Sequence, residues 1–133
     1  MPASITVHIN GLEKLQSLAN RFPKVSQLYI DQAIVRSIGE IDIQTKPNTP
    51  VKTGRLRNSF IPIFRPFSGK YGTRVPYAQR VHDLYPAGSP YKRPSLNKNA
   101  IAGFLTVGVR DAEPKINQVF EYALDQIVKA LAK

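Results

Sequence analysis

Eight prolines crowd the middle of this chain, at positions 47, 50, 62, 66, 76, 86, 90 and 94. A proline locks its own φ, removes a backbone donor and pushes the residue before it out of the helical region. No long helix can therefore cross this stretch, and a strand within it must be short or lie at a sheet edge. Gly54, Gly69, Gly72 and Gly88 add chain reversals between the prolines. Long helices are left to the two flanks.

The same stretch holds the charge. From Lys46 to Arg110 there are twelve basic residues and one acid, Asp83, whereas the flanks together carry seven basic residues and eight acids. The net charge of +10 is thus a property of the middle segment. A field concentrated in this way favours a polyanion, an acidic protein surface, or a channel through which DNA passes. A length of 133 residues, with 42% hydrophobic and 21% charged side chains, suits one globular domain over 1–133. No apolar run reaches the length of a membrane helix, and the first residues lack the pattern of a secretory leader. With no cysteine there is neither a disulfide framework nor a thiolate metal site, which fits assembly in a reducing cytoplasm.

Periodicity places the elements. Ile5, Val7 and Ile9 alternate with Thr6 and His8 ahead of Asn10-Gly11, the pattern of a short strand and turn, with His8 on its polar side. Leu12, Leu15, Leu18 and Ala19 predict a short helix stopped near Phe22-Pro23. A longer helix follows from about Lys24 to Thr45, with Ile30, Ala33, Ile34, Ile38 and Ile41 as its stripe. Val25, Leu28, Tyr29 and Val35 widen that apolar surface, so this helix should be covered on more than one side. Two strands are expected in the middle, Ser59 to Phe64 and about Tyr71 to Val75, joined through Arg65 to Lys70; Pro62 makes the first an edge or irregular strand. Residues 84–103 read as a basic, loop-rich insertion. Ile116, Val119, Phe120, Ala123, Leu124, Ile127, Val128 and Leu131 repeat at helical spacing. Asp111, Glu113 and Pro114 supply the expected start of that last helix, and Phe104 to Val109 fits either helix or strand. The fold expected is α+β: a small, largely antiparallel sheet packed against a long helix and a C-terminal helix, with proline-rich basic loops.

Catalysis, cofactors and metals are not expected. Two histidines, His8 and His82, are too few for a metal site of the usual ligand types. His82 and Asp83 are neighbours in sequence, and adjacent residues on a helix diverge, so no catalytic pair is expected there. The nine acids are scattered, and the glycines at 54 and at 69 to 72 lack a phosphate-loop pattern. The chain reads as a non-enzyme.

Two segments carry the most specific signal: Thr49-Pro50-Val51-Lys52-Thr53-Gly54-Arg55-Leu56-Arg57-Asn58-Ser59, and Tyr71-Gly72-Thr73-Arg74-Val75-Pro76-Tyr77-Ala78-Gln79-Arg80-Val81. In this order and spacing they resemble the tail-completion and head–tail joining proteins of long-tailed, lambda-like bacteriophages, the neck and minor tail components. Thr49, Pro50, Val51, Thr53, Gly54, Leu56, Arg57 and Ser59 match the first family segment; Tyr71, Gly72, Thr73, Val75, Tyr77, Ala78 and Val81 match the second. The order of elements agrees from about residue 10 onward. After the second segment the family carries an acid and a Gly-Thr pair, where this chain reads His82-Asp83-Leu84-Tyr85.

The resemblance implies a structural virion protein that completes the tail or joins it to the head connector. It implies a ring of identical subunits, sixfold like the tail tube, in contact with other neck or tail proteins and with genomic DNA passing through the channel, and no membrane partner. It also implies a location in the virion, and in the host cytoplasm during assembly. Pro50, Thr53, Gly54, Leu56, Ser59, Gly72, Tyr77 and Ala78 are read as motif residues that hold the domain together. Thr53 is expected to cap a short helix starting at Gly54, with Leu56 inward. Lys52, Arg55, Arg57, Arg65, Lys70 and Arg74 are read as exposed contacts to a neighbouring subunit, a partner or DNA. The alternative is a nucleic-acid-binding protein without sequence preference, its basic middle interleaved with Phe60, Phe64, Phe67, Tyr71 and Tyr77 for stacking.

Overall fold

The computed structural model describes the backbone of residues 5–10 and 13–132, and the side-chain environments of residue 15 and residues 17–132. In chain order the elements are strand β1 (Ile5–Asn10), helix α1 (Glu13–Arg21), helix α2 (Pro23–Thr45), a 3-10 turn over Lys46–Asn48, short helix α3 (Arg55–Asn58), strands β2 (Ile61–Arg65) and β3 (Ser68–Thr73), short helix α4 (Ala78–His82) and helix α5 (Phe104–Leu131). The fold is α+β. Its strands form one antiparallel sheet in the order β1-β3-β2. Pro62 thus sits in an edge strand, where a missing donor is tolerated. The side chains of β1, His8 among them, and Leu12 lie outside the described residues.

Helix α2 packs along α5, against β3 and across α1. Its inward residues are Ile30, Ala33, Ile34, Ile38 and Ile41, the expected stripe, and they join Phe60, Tyr71, Phe104, Phe120 and Ile127 in one core. Phe60 stacks on Tyr71 at 5.4 Å between centroids and meets the edge of Phe104 at 6.0 Å. The Tyr71 hydroxyl donates to the Asp42 carboxylate on α2, which also pairs with Lys46 at 3.1 Å. Burial, and then the Asp42 carboxylate, push the Tyr71 phenol above its ordinary pKa.

Two glycines set the closeness of these layers. A Cβ on Gly69 of β3 would come within 2.7 Å of Ile38 Cδ1, and nearer still to Ile34. A Cβ on Gly108 of α5 would run into the Thr45 hydroxyl and stand 3.1 Å from its Cβ. Leu28, Val35 and Ile43 stay exposed along α2 despite its many neighbours.

Three local expectations are corrected. Helix α5 begins at Phe104, not near Asp111, with Gly103 as its cap in the left-handed conformation. Phe104, Leu105, Val107, Gly108 and Ala112 are buried, and that burial draws the helix back through two glycines that weaken any local preference. Pro114 therefore lies inside the helix rather than in its first turn. The β2–β3 connection is a tight Pro66-Phe67 turn, with strands over 61–65 and 68–73. Phe67 takes φ 62°, and its amide donates to Asp31 Oδ1 of α2 at 2.8 Å. A tertiary bond holds that turn, so no local motif marked it. Finally, Gly54 is the cap residue of α3, and the Thr53 hydroxyl accepts the Arg55 amide at 3.3 Å from one position earlier.

Candidate anion-binding cleft

The two motif segments are folded onto each other. Thr49 is buried and its hydroxyl donates to the Thr45 carbonyl at 2.9 Å, turning the chain out of α2. Leu56 is buried beneath α3, and the Ser59 hydroxyl donates to the Leu56 carbonyl at 2.6 Å while sharing a hydrogen bond with the Thr73 hydroxyl. Thr73 Oγ1 also accepts the Val75 amide at 3.2 Å. From there Tyr77 leads into α4, and Ala78 is fully buried in the core. Pro50, Gly54 and Gly72 are buried as well, in keeping with their reading as residues that hold the domain together.

The proline-rich insertion supplies a third wall. Its two limbs pair through Gly88 N to Ala102 O, Ala102 N to Ser89 O and Tyr91 N to Ala100 O, at 2.9 to 3.0 Å. It is then fastened along residues 47–51. Val51 N donates to Ser95 Oγ at 2.9 Å, Leu96 N to the Val51 carbonyl at 2.6 Å, and Asn97 Nδ2 to the carbonyls of Pro47 and Thr49 at 2.7 and 2.9 Å. The insertion is thus a wall tied to the motif segment by the Leu96 amide and by the Ser95 and Asn97 side chains.

Between these walls lies a cleft of about 820 Å³. Pro50, Val51, Lys52, Thr53, Arg55 and Leu56 line one side, Tyr77, Arg80, Val81 and Leu84 another, and Tyr91, Arg93 and Pro94 the third. Four cations, Lys52, Arg55, Arg80 and Arg93, meet here, and no acid is among the described residues of the lining. Arg55 is steadied by the Tyr77 ring, 5.7 Å from its centroid. Guanidinium forks beside aromatic and aliphatic walls suit carboxylate or phosphate groups that carry apolar atoms next to them.

Of the six basic residues singled out in the sequence, only Lys52 and Arg55 reach this cleft. Arg65 ends β2 and Arg74 follows β3, both exposed, while Arg57 and Lys70 are half-buried rather than freely exposed. The structure does not gather the six into one site. Arg80 and Arg93 escaped the sequence reading. Arg80 stands three residues after Tyr77, on one face with it and Leu84, a spacing that was available. Arg93 lies in the insertion, whose path no periodicity reveals. The proposed stacking aromatics are not a platform: Phe60 and Tyr71 are buried and Phe67 and Tyr77 are half-buried, leaving Phe64 exposed on β2.

His82 and Asp83 do meet, contrary to the expectation from their adjacency. Asp83 is the residue at the end of α4, where the backbone leaves the helix, and its Oδ1 lies 2.7 Å from His82 Nδ1. With Nδ1–H donating to the carboxylate, Nε2 is left to accept from the Thr106 amide at 3.4 Å, in the first turn of α5. The His82 carbonyl accepts the Gly103 amide at 2.7 Å, and the Phe104 ring stands edge-on to the imidazole at 4.8 Å. Thr106 Oγ1 stands 3.5 Å from Nε2 as well. The geometry is that of a clasp between α4 and α5.

Among the described residues, no three His, Cys, Asp or Glu side chains are placed to hold a metal, and no helix is long and apolar enough to cross a membrane. Comparison with protein-family models, curated proteins and solved structures finds no match.

Proposed function

We propose that this protein is a structural component of a long-tailed phage virion, which completes the tail or joins it to the head connector as a ring around the DNA channel. The observation that carries the proposal is the pair of segments at 49–59 and 71–81, which resemble the tail-completion family in residue type, order and spacing. Two further features support it. A closed ring of more than two identical subunits needs two different surfaces on each copy that are complementary to each other. Apolar side chains are exposed on α2 (Leu28, Val35 and Ile43), along the β2 edge (Ile61, Ile63 and Phe64) and on α5 (Tyr122 and Val128). A strand edge and an apolar helix face are surfaces on which another chain can pack. The role is structural rather than catalytic, the neighbours are other neck or tail proteins, and the site of action is the virion after assembly in the host cytoplasm. Sixfold symmetry follows from the resemblance to rings that meet a sixfold tail tube.

The test is native mass by light scattering after size exclusion, with images of the particles, for the protein alone and mixed with tail-tube or connector rings. Closed rings near six subunits, or capture of the monomer onto a ring, are expected. Arg55→Glu combined with Arg57→Glu should impair ring formation or docking while leaving the circular dichroism spectrum intact. A chain that remains monomeric alone and ignores tail and connector rings would overturn the proposal.

A further inference from the structure

The cleft between the motif segments and the insertion is shaped for a particular occupant. We infer that it docks an acidic peptide segment bearing apolar side chains, contributed by another protein. The inference rests on the cleft alone; only the source of the segment, a neighbouring neck or tail component, rests on the assembly reading above.

Charge complementarity selects the sign of the occupant. Lys52, Arg55, Arg80 and Arg93 are all exposed, they converge on one concavity, and among the described residues no acid lines it to neutralise them. The walls select its chemistry. Val51 and Leu56 are buried, Val81 and Leu84 half-buried, and with Tyr77 and Tyr91 they form an apolar lining beneath the cations. A bare polyphosphate would leave that lining uncovered, whereas alternating carboxylates and apolar side chains would satisfy both layers. A space of about 820 Å³ matches a few residues of extended chain in size. A single nucleic-acid strand fits less well. Strand-binding grooves stack successive bases over several nucleotides, and here two half-buried tyrosines, Tyr77 and Tyr91, are the only aromatic rings among the described residues of the lining. The wall formed by the insertion is already fastened by its own hydrogen bonds, so little ordering is left for the binding step to supply.

The experiment is fluorescence anisotropy on the full-length chain with three short labelled probes: a peptide of alternating glutamate and leucine, the same peptide with serine for leucine, and oligo-dT. The glutamate–leucine peptide should bind tightest, at least about fivefold more tightly than either other probe, and weaken as salt rises. Arg80→Glu with Arg93→Glu should weaken it by about tenfold or more, because both residues are exposed, face the cleft and reverse its charge. Arg65→Glu with Lys70→Glu, outside the cleft, should change it by less than about twofold. Circular dichroism on both pairs checks that each remains folded. Equal binding of the serine peptide would overturn the inference by showing the apolar lining unused. Tighter binding of oligo-dT would transfer the cleft to nucleic acid, and equal losses in both charge pairs would show only a diffuse field. None of these results depends on ring formation, so failure here is distinguishable from failure of the assembly reading.

Discussion

Replacing Tyr71 with Phe removes one oxygen at the junction of sheet and helix, and its consequences have two separable signs. The hydroxyl donates to the Asp42 carboxylate from a ring that is 1% exposed. A hydrogen bond to a charged acceptor contributes about 1.5–3 kcal/mol. Asp42 is 34% exposed and keeps its Lys46 partner at 3.1 Å, so water and the lysine recover part of the loss, and the cost expected for Tyr71→Phe at neutral pH is about 1–2 kcal/mol. The second sign is in pH. The phenol's folded pKa is raised, chiefly by burial and then by Asp42, so its stabilisation is fully present below the unfolded value of about 10 and falls as pH rises above it. Each pH unit above that point removes about 1.4 kcal/mol from the wild type and nothing from the variant. The two stability curves should therefore converge near pH 11, about one unit above the unfolded pKa, and cross beyond it. Urea unfolding of both proteins at a series of pH values from neutral to alkaline reads this directly. Equal stability at neutral pH, or curves that stay parallel through the alkaline range, would refute the argument, since the same contact must produce both effects.

Other outcomes follow from the packing. Gly108→Ala should destabilise by about 1–3 kcal/mol in denaturant unfolding, because the new methyl meets Thr45 across the α2–α5 interface; adding Thr45→Ala should return part of the loss, and purely additive costs would argue against the close approach. Pro114→Ala should raise stability by about 1–3 kcal/mol, since it restores an amide to the exposed middle of α5, and a drop in urea midpoint would contradict this. Asp31→Ala should lower stability by about 1 kcal/mol and increase amide exchange at Phe67, whose N–H it leaves without an acceptor; unchanged exchange at Phe67 would show the turn to be locally encoded. His82→Ala should expose the α4–α5 junction, seen as faster exchange at Gly103 and Thr106 and a loss of about 1–3 kcal/mol, and protection equal to wild type would exclude the clasp.

Much of this molecule was legible in one dimension. The isoleucine spacing of α2, the alternation in β1 and the apolar repeat after Ile116 are consequences of helical and strand periods, which act between near neighbours. The prolines placed the irregular half of the chain for the same reason, because their effect on φ is local, and Pro62 correctly marked an edge strand. Thr53, Gly54 and Leu56 could be assigned to a short capped turn within one residue. The motif segments themselves suggested an assembly role through resemblance, which the native-mass experiment puts at risk.

Tertiary structure decided the rest. The first two turns of α5 exist because Phe104, Leu105 and Ala112 find burial against α2, an energy no local pattern of Gly103 and Gly108 announces. The Pro66-Phe67 turn depends on an Asp31 carboxylate 36 residues away. The cleft joins residues 50–56, 77–84 and 91–94, and Arg93 reaches it only because Ser95 and Asn97 fasten the insertion to the end of α2. Local propensities are settled by a residue's near neighbours. A cleft assembled from three separate segments is settled by long-range hydrogen bonds and burial, so the sequence could show an excess of positive charge but not the place where four of those cations converge.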